Sequence, residues 1–238
     1  MPNHLQAEVF FLMATIPKDN LSQIQLLVFD LDGTLVNSKL DLALSVNAML
    51  DHMGLERLPE ETIATYVGHG VEALVRRALG ERATEEKVQG GLQYFLAYYR
   101  EHMLDNTTLY PGVREALQGL RDRKMAVLTN KPVRFSREML ERLGIADCFA
   151  FIYGGNSFPQ KKPDPAGIKV LMEDLDASPR ETMMIGDSDT DVVTGRNAGV
   201  WTCGVTYGFG AHSLRNAPPD LLLDDLRELV TLLRDGQP

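Results

Sequence analysis

The chain has 238 residues, of which 44% are hydrophobic and 24% are charged, so it can bury a substantial core and divide into a main domain and a smaller one. Its formal net charge of −9 argues against nucleic acid and against an anionic membrane surface as partners, and no apolar stretch approaches the length of a membrane span. Two cysteines, Cys148 and Cys203, are too few for a disulfide framework, which predicts a cytoplasmic protein.

Residues 1–24 are interpreted as an N-terminal extension that carries no catalysis. Its apolar stretch, residues 9–14, is preceded by His4 but by no basic segment, and it is too short for the apolar part of a secretory signal. The strand–helix alternation of the chain begins after this extension.

Two carboxylates follow the first apolar run, Leu26–Phe29, which is typical of a buried strand. They belong to Asp30 and Asp32, and Gly33 and Thr34 come next. Side chains at positions i and i+2 of a strand end point in the same direction, so one carboxylate could attack an electrophile while the other handles protons. Taken alone, the same residues are also typical of an acidic glycine turn.

Residues 38–108 have a purely helical pattern that interrupts the strand–helix alternation. We therefore expect an inserted helical cap over 38–108, with an α/β catalytic core formed by residues 25–37 and 109–238. Hinges are predicted at Val36–Ser38 and Asp105–Pro111. Three apolar stripes indicate packed helices and no cofactor site: Leu42, Val46, Met49 and Met53; Val71, Leu74, Val75, Ala78 and Leu79; and Val88, Leu92, Phe95, Leu96, Tyr99 and Met103.

Polar residues also end two later segments. The apolar run 125–128 leads into Thr129, Asn130 and Lys131, which offer a hydroxyl, an amide and an ammonium group. Further on, Lys162 precedes a Pro-Asp-Pro turn whose second proline suits the first turn of a helix. A lysine beside such a turn is ordinarily a solvated surface residue, but here we expect it at the same edge of the sheet.

A second acidic cluster, residues 187–191, follows the apolar run 183–185. Both acidic clusters are expected where parallel strands end, which is the edge at which α/β sheets bind ligands. They could therefore share a hard cation such as Mg²⁺. A calcium loop is excluded, because positions 6 and 12 of an EF-hand would hold Val192 and Ala198 instead of Gly and Glu.

These four segments, in this order, resemble the motifs of the haloacid dehalogenase superfamily of phosphatases. The resemblance covers residues 26–206 and implies a doubly wound parallel sheet, a Rossmann-like core, with an inserted α-helical cap. It implies a Mg²⁺ cofactor and an aspartyl-phosphate intermediate. By position, it implies catalytic roles for Asp30, Asp32, Thr129 and Lys162. The metal ligands would be Asp30, the backbone carbonyl of Asp32, and Asp187, and Asp191 would support the metal shell. The residues implied in phosphate binding are Gly33, Thr34, Thr129, Asn130 and Lys162.

Within the superfamily, the chain is most similar to the phosphoglycolate phosphatase group. This similarity is carried by residues 129–132, 154–155, 161–163 and 205–208, and by the cap segment 66–72. It implies a hydrolase whose partner is a small-molecule phosphate ester, with 2-phosphoglycolate the favoured substrate. In the cap, Gly68, His69 and Gly70 are expected to open a helix toward the substrate carboxylate. The group often has Asn where this chain has His69.

The motifs leave several related activities open. A pyrophosphatase, a sugar-phosphate phosphatase or a phosphomutase of the same superfamily would share the core residues. A dehalogenase is disfavoured, because it has no use for an acid/base at Asp32. A non-enzymatic metal-binding protein would bind metal without releasing phosphate from p-nitrophenyl phosphate. The expected assembly is a monomer or a homodimer.

Overall fold

The computed structural model describes residues 16–235. Its strands, in chain order, are β1 (Leu26–Phe29), β2 (Val36–Asn37), β3 (Thr108–Leu109), β4 (Lys124–Leu128), β5 (Phe151–Tyr153), β6 (Thr182–Gly186), β7 (Trp201–Val205) and β8 (Leu221–Leu223). Six of these strands form a parallel sheet in the order β5-β4-β1-β6-β7-β8. The strand predicted over residues 26–29 is β1, at the centre of this sheet.

Helices cover both faces of the sheet, because its strands carry apolar side chains on both faces. Along β1, Leu27 and Phe29 pack into one buried cluster, whereas Leu26 and Val28 pack into another. The predicted doubly wound α/β fold is therefore confirmed. The helices are α1 (Lys18–Leu21), α2 (Lys39–His52), α3 (Glu60–Ala64), α4 (Val71–Leu79), α5 (Glu85–His102), α6 (Val113–Gly119), α7 (Val133–Arg142), α8 (Ala166–Asp174), α9 (Asp189–Ala198) and α10 (Arg227–Asp235).

Helices α2 to α5 lie between β2 and β3 in the chain, and α5 packs against both α2 and α4. The three apolar stripes predicted from the sequence fall on α2, α4 and α5, and the side chains of Val46, Val75 and Phe95 are buried. Helix α3 is an addition to the three helices that the sequence predicts. Its five residues are too few to show a helical period in the sequence.

The two chain crossings between this helical segment and the sheet lie side by side. Strand β2 pairs with β3 in antiparallel fashion, and both strands fall within the predicted hinges. Beside them, the buried Asp41 carboxylate of α2 accepts hydrogen bonds from the backbone N–H groups and the side chains of Asn106 and Thr107, at 2.7–3.1 Å. The two crossings thus form a two-stranded antiparallel ribbon, and the Asp41 carboxylate ties the chain before β3 to helix α2 by hydrogen bonds.

The predicted N-terminal extension lies only partly within the described residues. Its residues 1–15 lie outside them, whereas Ile16, Leu21 and Ile24 are buried in the same apolar cluster as Leu27 and Phe29. The described part of this segment is therefore packed against the core. Across residues 16–235, no helix combines the length and the apolar character that a bilayer crossing requires.

Candidate active site

The carboxyl ends of three neighbouring strands bring the predicted site residues together. Strand β1 lies between β4 and β6, and these strands lead directly into Asp30, Thr129 and Asp187 respectively. Because the three strands run parallel, their carboxyl ends meet at one edge of the sheet. The residues separated by up to 157 positions in sequence thereby become neighbours, as the sequence analysis expects.

Three buried carboxylates form an acidic cluster at this edge. Oxygen atoms of Asp30, Asp187 and Asp191 all lie within 4.8 Å of one another. The Nζ atom of Lys162 lies 2.8 Å from Asp30 Oδ1 and 2.6 Å from Asp191 Oδ1. All four side chains are buried. When every group is ionised, one ammonium faces three carboxylates, so the net charge of the cluster is negative.

The pKa values of Asp30 and Asp187 reflect this excess of negative charge. Burial raises the pKa of Asp30 from 3.8 to about 6; the Lys162 ammonium opposes this rise, and the Asp191 carboxylate adds to it. Burial, followed by repulsion from Asp191 and Asp30, raises the pKa of Asp187 well above its ordinary value. A cation bound among these carboxylates would favour their ionised forms.

The cluster fits a hard divalent cation. Asp30 Oδ1 is a buried oxygen to which no group of residues 16–235 donates a hydrogen bond, although Lys162 Nζ lies 2.8 Å from it. Asp187 is held by the backbone N–H of Gly210, which donates to Oδ2 at 2.7 Å. A Cβ atom at Gly33 would lie 2.1 Å from Asp187 Oδ2 and one at Gly208 would lie 2.2 Å from Asp187 Cβ, so both positions require glycine. Mg²⁺ prefers such carboxylate oxygens.

Both carboxylate oxygens of Asp191 accept hydrogen bonds from other residues of the described structure. Its Oδ1 accepts from Lys162, and its Oδ2 accepts from the backbone N–H and the hydroxyl of Ser188, at 3.1 and 2.6 Å. These contacts cap the first turn of α9 and fix the ammonium of Lys162 beside Asp30. The supporting role of Asp191 therefore stays a prediction, since one of its oxygens also lies within 4.8 Å of oxygens of Asp30 and Asp187.

Asp32 has different partners from Asp30, although both line the same cleft. Its carboxylate accepts hydrogen bonds from Lys131 Nζ, at 3.0 and 3.1 Å, and from the Ser38 hydroxyl at 2.5 Å. Lys131 also donates to the Tyr99 hydroxyl of α5 at 2.6 Å. The sequence marks Lys131 as an ammonium at a strand end without predicting a role for it, and no local pattern marks Ser38 or Tyr99 as a site residue.

Two predicted phosphate-binding groups are engaged in internal contacts. The Asn130 side chain donates to the carbonyls of Gly68 and Lys162, at 2.7 and 3.0 Å, and accepts from the Lys162 backbone N–H at 2.9 Å. The backbone N–H of Gly33 donates to Val36, so it is used within the turn after β1. Asn130 therefore positions Lys162 and the cap loop in this structure.

The remaining predicted phosphate-binding residues lie close to the metal candidate. Thr34 is fully buried; its backbone N–H donates to Leu31, and its hydroxyl lies 3.5 Å from Asp187 Oδ1. The Thr129 hydroxyl accepts a 3.3 Å hydrogen bond from the Lys131 backbone N–H, and Thr129 lines the cleft. Thr129 therefore lines the cleft, whereas Thr34 is not among the lining residues.

The cleft separates the acidic edge of the sheet from the cap helices. Gly68 and Gly70 line it, whereas His69 is not among its lining residues. Gly70 precedes α4 with a φ of +87°, a conformation that favours glycine. Burial, with a contribution from Arg77, lowers the pKa of His69, while Asp189 opposes this shift. The wall on the cap side is largely apolar, with Val71, Leu74, Phe95 and Leu96 as members.

The comparisons with known proteins agree with this geometry. A family model described as haloacid dehalogenase-like hydrolase matches residues 27–205, and the chain belongs to this family. The chain is 39% identical over 222 residues to a phosphoglycolate phosphatase of Haemophilus influenzae. This alignment covers 89% of this chain and 99% of the relative. It is 40% identical over 223 residues to a phosphoglycolate phosphatase of Chromobacterium violaceum, with coverages of 91% and 100%.

A solved structure shares the fold. The crystal structure of a predicted phosphoglycolate phosphatase from Haemophilus somnus superposes with a TM-score of 0.84 at 34% identity, covering 88% of this chain and 98% of that chain. The similarity thus includes the helical segment as well as the sheet.

Proposed function

We propose that the protein is a Mg²⁺-dependent phosphatase that hydrolyses 2-phosphoglycolate through an aspartyl-phosphate on Asp30. The observation that carries this proposal is the cluster of three buried carboxylates around Lys162, with the carboxylate of Asp32 lining the same cleft. The substrate follows from the names of the relatives, which are phosphoglycolate phosphatases of similar length. We also propose a cytoplasmic location, in keeping with the two free cysteines.

Asp30 is the proposed nucleophile. An anionic carboxylate can approach the phosphorus of a phosphate dianion only if nearby cations and donors cancel the repulsion. Lys162 supplies one such charge beside Asp30. Mg²⁺, held by Asp30, the backbone carbonyl of Asp32, and Asp187, would supply the rest of the positive charge. A bond then forms between Asp30 and phosphorus as the bond to the ester oxygen breaks.

Asp32 is the proposed acid/base. It gives a proton to the departing alkoxide in the first step, and in the second step it takes a proton from the water that attacks the aspartyl-phosphate. Contacts with Ser38 and Lys131 fix the position of this carboxylate in the wall of the cleft. The proton returns to Asp32 by the end of the cycle, so one carboxyl serves both steps.

The helical segment 38–108 is the proposed cap. Its helices α4 and α5 line the cleft, and Asn130 of the core donates a hydrogen bond to Gly68 of the cap loop. Exclusion of water from the cleft would protect the aspartyl-phosphate until Asp32 is positioned to activate a single water molecule. The ribbon of β2 and β3 is where the movement of the cap would be hinged.

Phosphate release is the experiment that tests this function. We expect the wild-type protein to release phosphate from 2-phosphoglycolate with Mg²⁺ and to lose this activity with chelator. Asp30→Asn should abolish both turnover and the acid-stable phosphorylation of the protein, whereas Asp147→Asn, at an exposed carboxyl, should do neither. Full activity of Asp30→Asn would contradict the covalent mechanism. Product analysis would reveal a phosphomutase, and metal binding without phosphate release would indicate a non-enzymatic protein.

A further inference from the structure

One cation in the cleft has so far been given only a positioning role, as the partner of Asp32. Among the described residues that line the cleft, Lys131 is the one with a cationic side chain. Lys162, the other ammonium near the reacting groups, is paired with two carboxylates, Asp30 and Asp191, whereas Lys131 is paired with one, Asp32. Lys131 follows β4 and projects from the core toward the cap, where it meets the Tyr99 hydroxyl of α5.

The surroundings of Lys131 determine what it can bind. Its ammonium contacts both carboxylate oxygens of Asp32, and its Nζ atom lies 4.6 Å from the centre of the Tyr99 ring. Phe95 and Phe135 are further members of the cleft wall. A substrate carboxylate in such a cleft must find a cation or polar donors, because apolar walls cannot compensate for its lost hydration.

We infer that Lys131 binds a second acidic group of the substrate and thereby selects phosphate monoesters that carry a carboxylate close to the ester oxygen. This inference rests on the proposed function, since it takes Asp32 as the residue that contacts the leaving oxygen. Lys131 lies directly beside Asp32, so the acidic group it reaches must be only a few bonds from that oxygen. The carboxylate of 2-phosphoglycolate is attached to the carbon that bears the ester oxygen, which meets this requirement.

The structure contains a competing cation for the same role. Lys161 is exposed, and its Nζ lies 3.0 Å from where a Cβ atom of Gly70 would be, at the cap loop. If the carboxylate were bound by the beginning of α4, Lys161 would be the lysine beside it. The two arrangements place the acidic group on different sides of the cleft, so variants of the two lysines distinguish them.

The test compares 2-phosphoglycolate with its carboxyl methyl ester, which keeps the ester oxygen and removes the charge. For the wild type we expect kcat/KM to favour the acid by about 10- to 100-fold, the range of a charge-assisted hydrogen bond, and mainly through KM. Lys131→Met should remove this preference, and Lys131→Arg should restore part of it. Lys87→Met, at an exposed lysine of α5, is the matched control and should behave like the wild type.

A measurement without turnover covers the possibility that Lys131→Met does not fold. Equilibrium binding of the acid and of the methyl ester to Asp30→Asn should show the same preference for the acid. Equal affinity for the two compounds would overturn the inference, as would loss of the preference in Lys161→Met. A wild-type protein that hydrolyses the methyl ester as well as the acid would overturn the inference and leave the phosphatase intact. Absence of Mg²⁺-dependent phosphate release from the acid would instead refute the proposed function.

Discussion

Replacement of Asp30 by Asn should stabilise the protein when no divalent cation is present. Burial raises the pKa of Asp30 from 3.8 to about 6, so ionisation of this buried carboxyl at neutral pH costs about 3 kcal/mol of folding free energy. Asn has nearly the same shape and carries no charge. Lys162 keeps its contact with Asp191 in the variant, so its ammonium is not left without a carboxylate.

The sign of the pH dependence follows from the direction of the shift. Between the unfolded and the folded pKa of Asp30, the folded state binds more protons than the unfolded state, so the free energy of unfolding falls as pH rises. The loss from Asp30 should therefore develop between about pH 4 and pH 6 and persist above this window. The pKa of Asp187 shifts in the same direction, and repulsion from Asp30 is one of its causes, so Asp30→Asn also relieves part of this shift and the two effects have the same sign.

Urea unfolding in chelator at about pH 4 and about pH 7 measures this difference. Asp30→Asn should match the wild type at the lower pH and exceed it by about 3 kcal/mol at the higher one. Added Mg²⁺ should stabilise the wild type more than the variant, because it binds the folded state of the intact cluster. Asp147→Asn, at an exposed carboxyl, is the control. Equal pH dependence in wild type and Asp30→Asn, or a less stable variant in chelator at neutral pH, would refute the reasoning.

Four further predictions concern catalysis and the cap. Asp32→Asn should lower kcat by about 10²- to 10⁴-fold without loss of folding, as measured by steady-state kinetics and circular dichroism. Asp187→Ala should raise the Mg²⁺ concentration required for half-maximal activity far more than Asp189→Ala; equal effects in a metal titration would mean that the metal site is wrongly assigned. Gly70→Ala, at φ +87° and with a Cβ 3.0 Å from Lys161 Nζ, should lower hydrolysis of 2-phosphoglycolate and of p-nitrophenyl phosphate alike, because it strains the loop before α4; a rise in KM confined to 2-phosphoglycolate would place the carboxylate at the beginning of α4 and contradict its binding by Lys131. Asp41→Ala should lower the free energy of unfolding by at least about 3 kcal/mol in urea, because it leaves four donors of Asn106 and Thr107 without their carboxylate.

The sequence predicts the sheet and its reactive edge because both depend on local patterns. The run Leu26–Phe29 is apolar throughout, as a central strand buried on both faces must be, and the structure gives β1 those same bounds. The runs before Thr129 and Asp187 are likewise strands, β4 and β6. Since parallel strands align their carboxyl ends, three local patterns were enough to predict which polar residues meet.

The sequence does not predict contacts that depend on packing between distant elements. Tyr99 and Lys131 are 32 positions apart, and the sequence places one in an apolar helical stripe and the other at a strand end, with nothing to join them. Gly210 donates to Asp187 from a loop that follows β7, 23 positions later. Ile16 and Ile24 belong to a segment interpreted as an extension, but they are buried against the sheet. Three-dimensional packing alone assigns these residues their partners.

The two aspartates of the first motif show how such packing divides chemical roles. Strand β1 ends at Phe29, so Asp30 and Asp32 lie in the turn beyond it, and each pairs with its own lysine. Asp30 shares Lys162 with Asp191 inside an acidic cluster, where a bound cation would stabilise its ionised form. Asp32 is the one described carboxylate that pairs with Lys131, and Lys131 also donates a hydrogen bond to the Tyr99 hydroxyl of helix α5. Distinct environments for two neighbouring carboxyls are what the proposed nucleophile and acid/base require, and in this chain the pairing with separate lysines creates that difference.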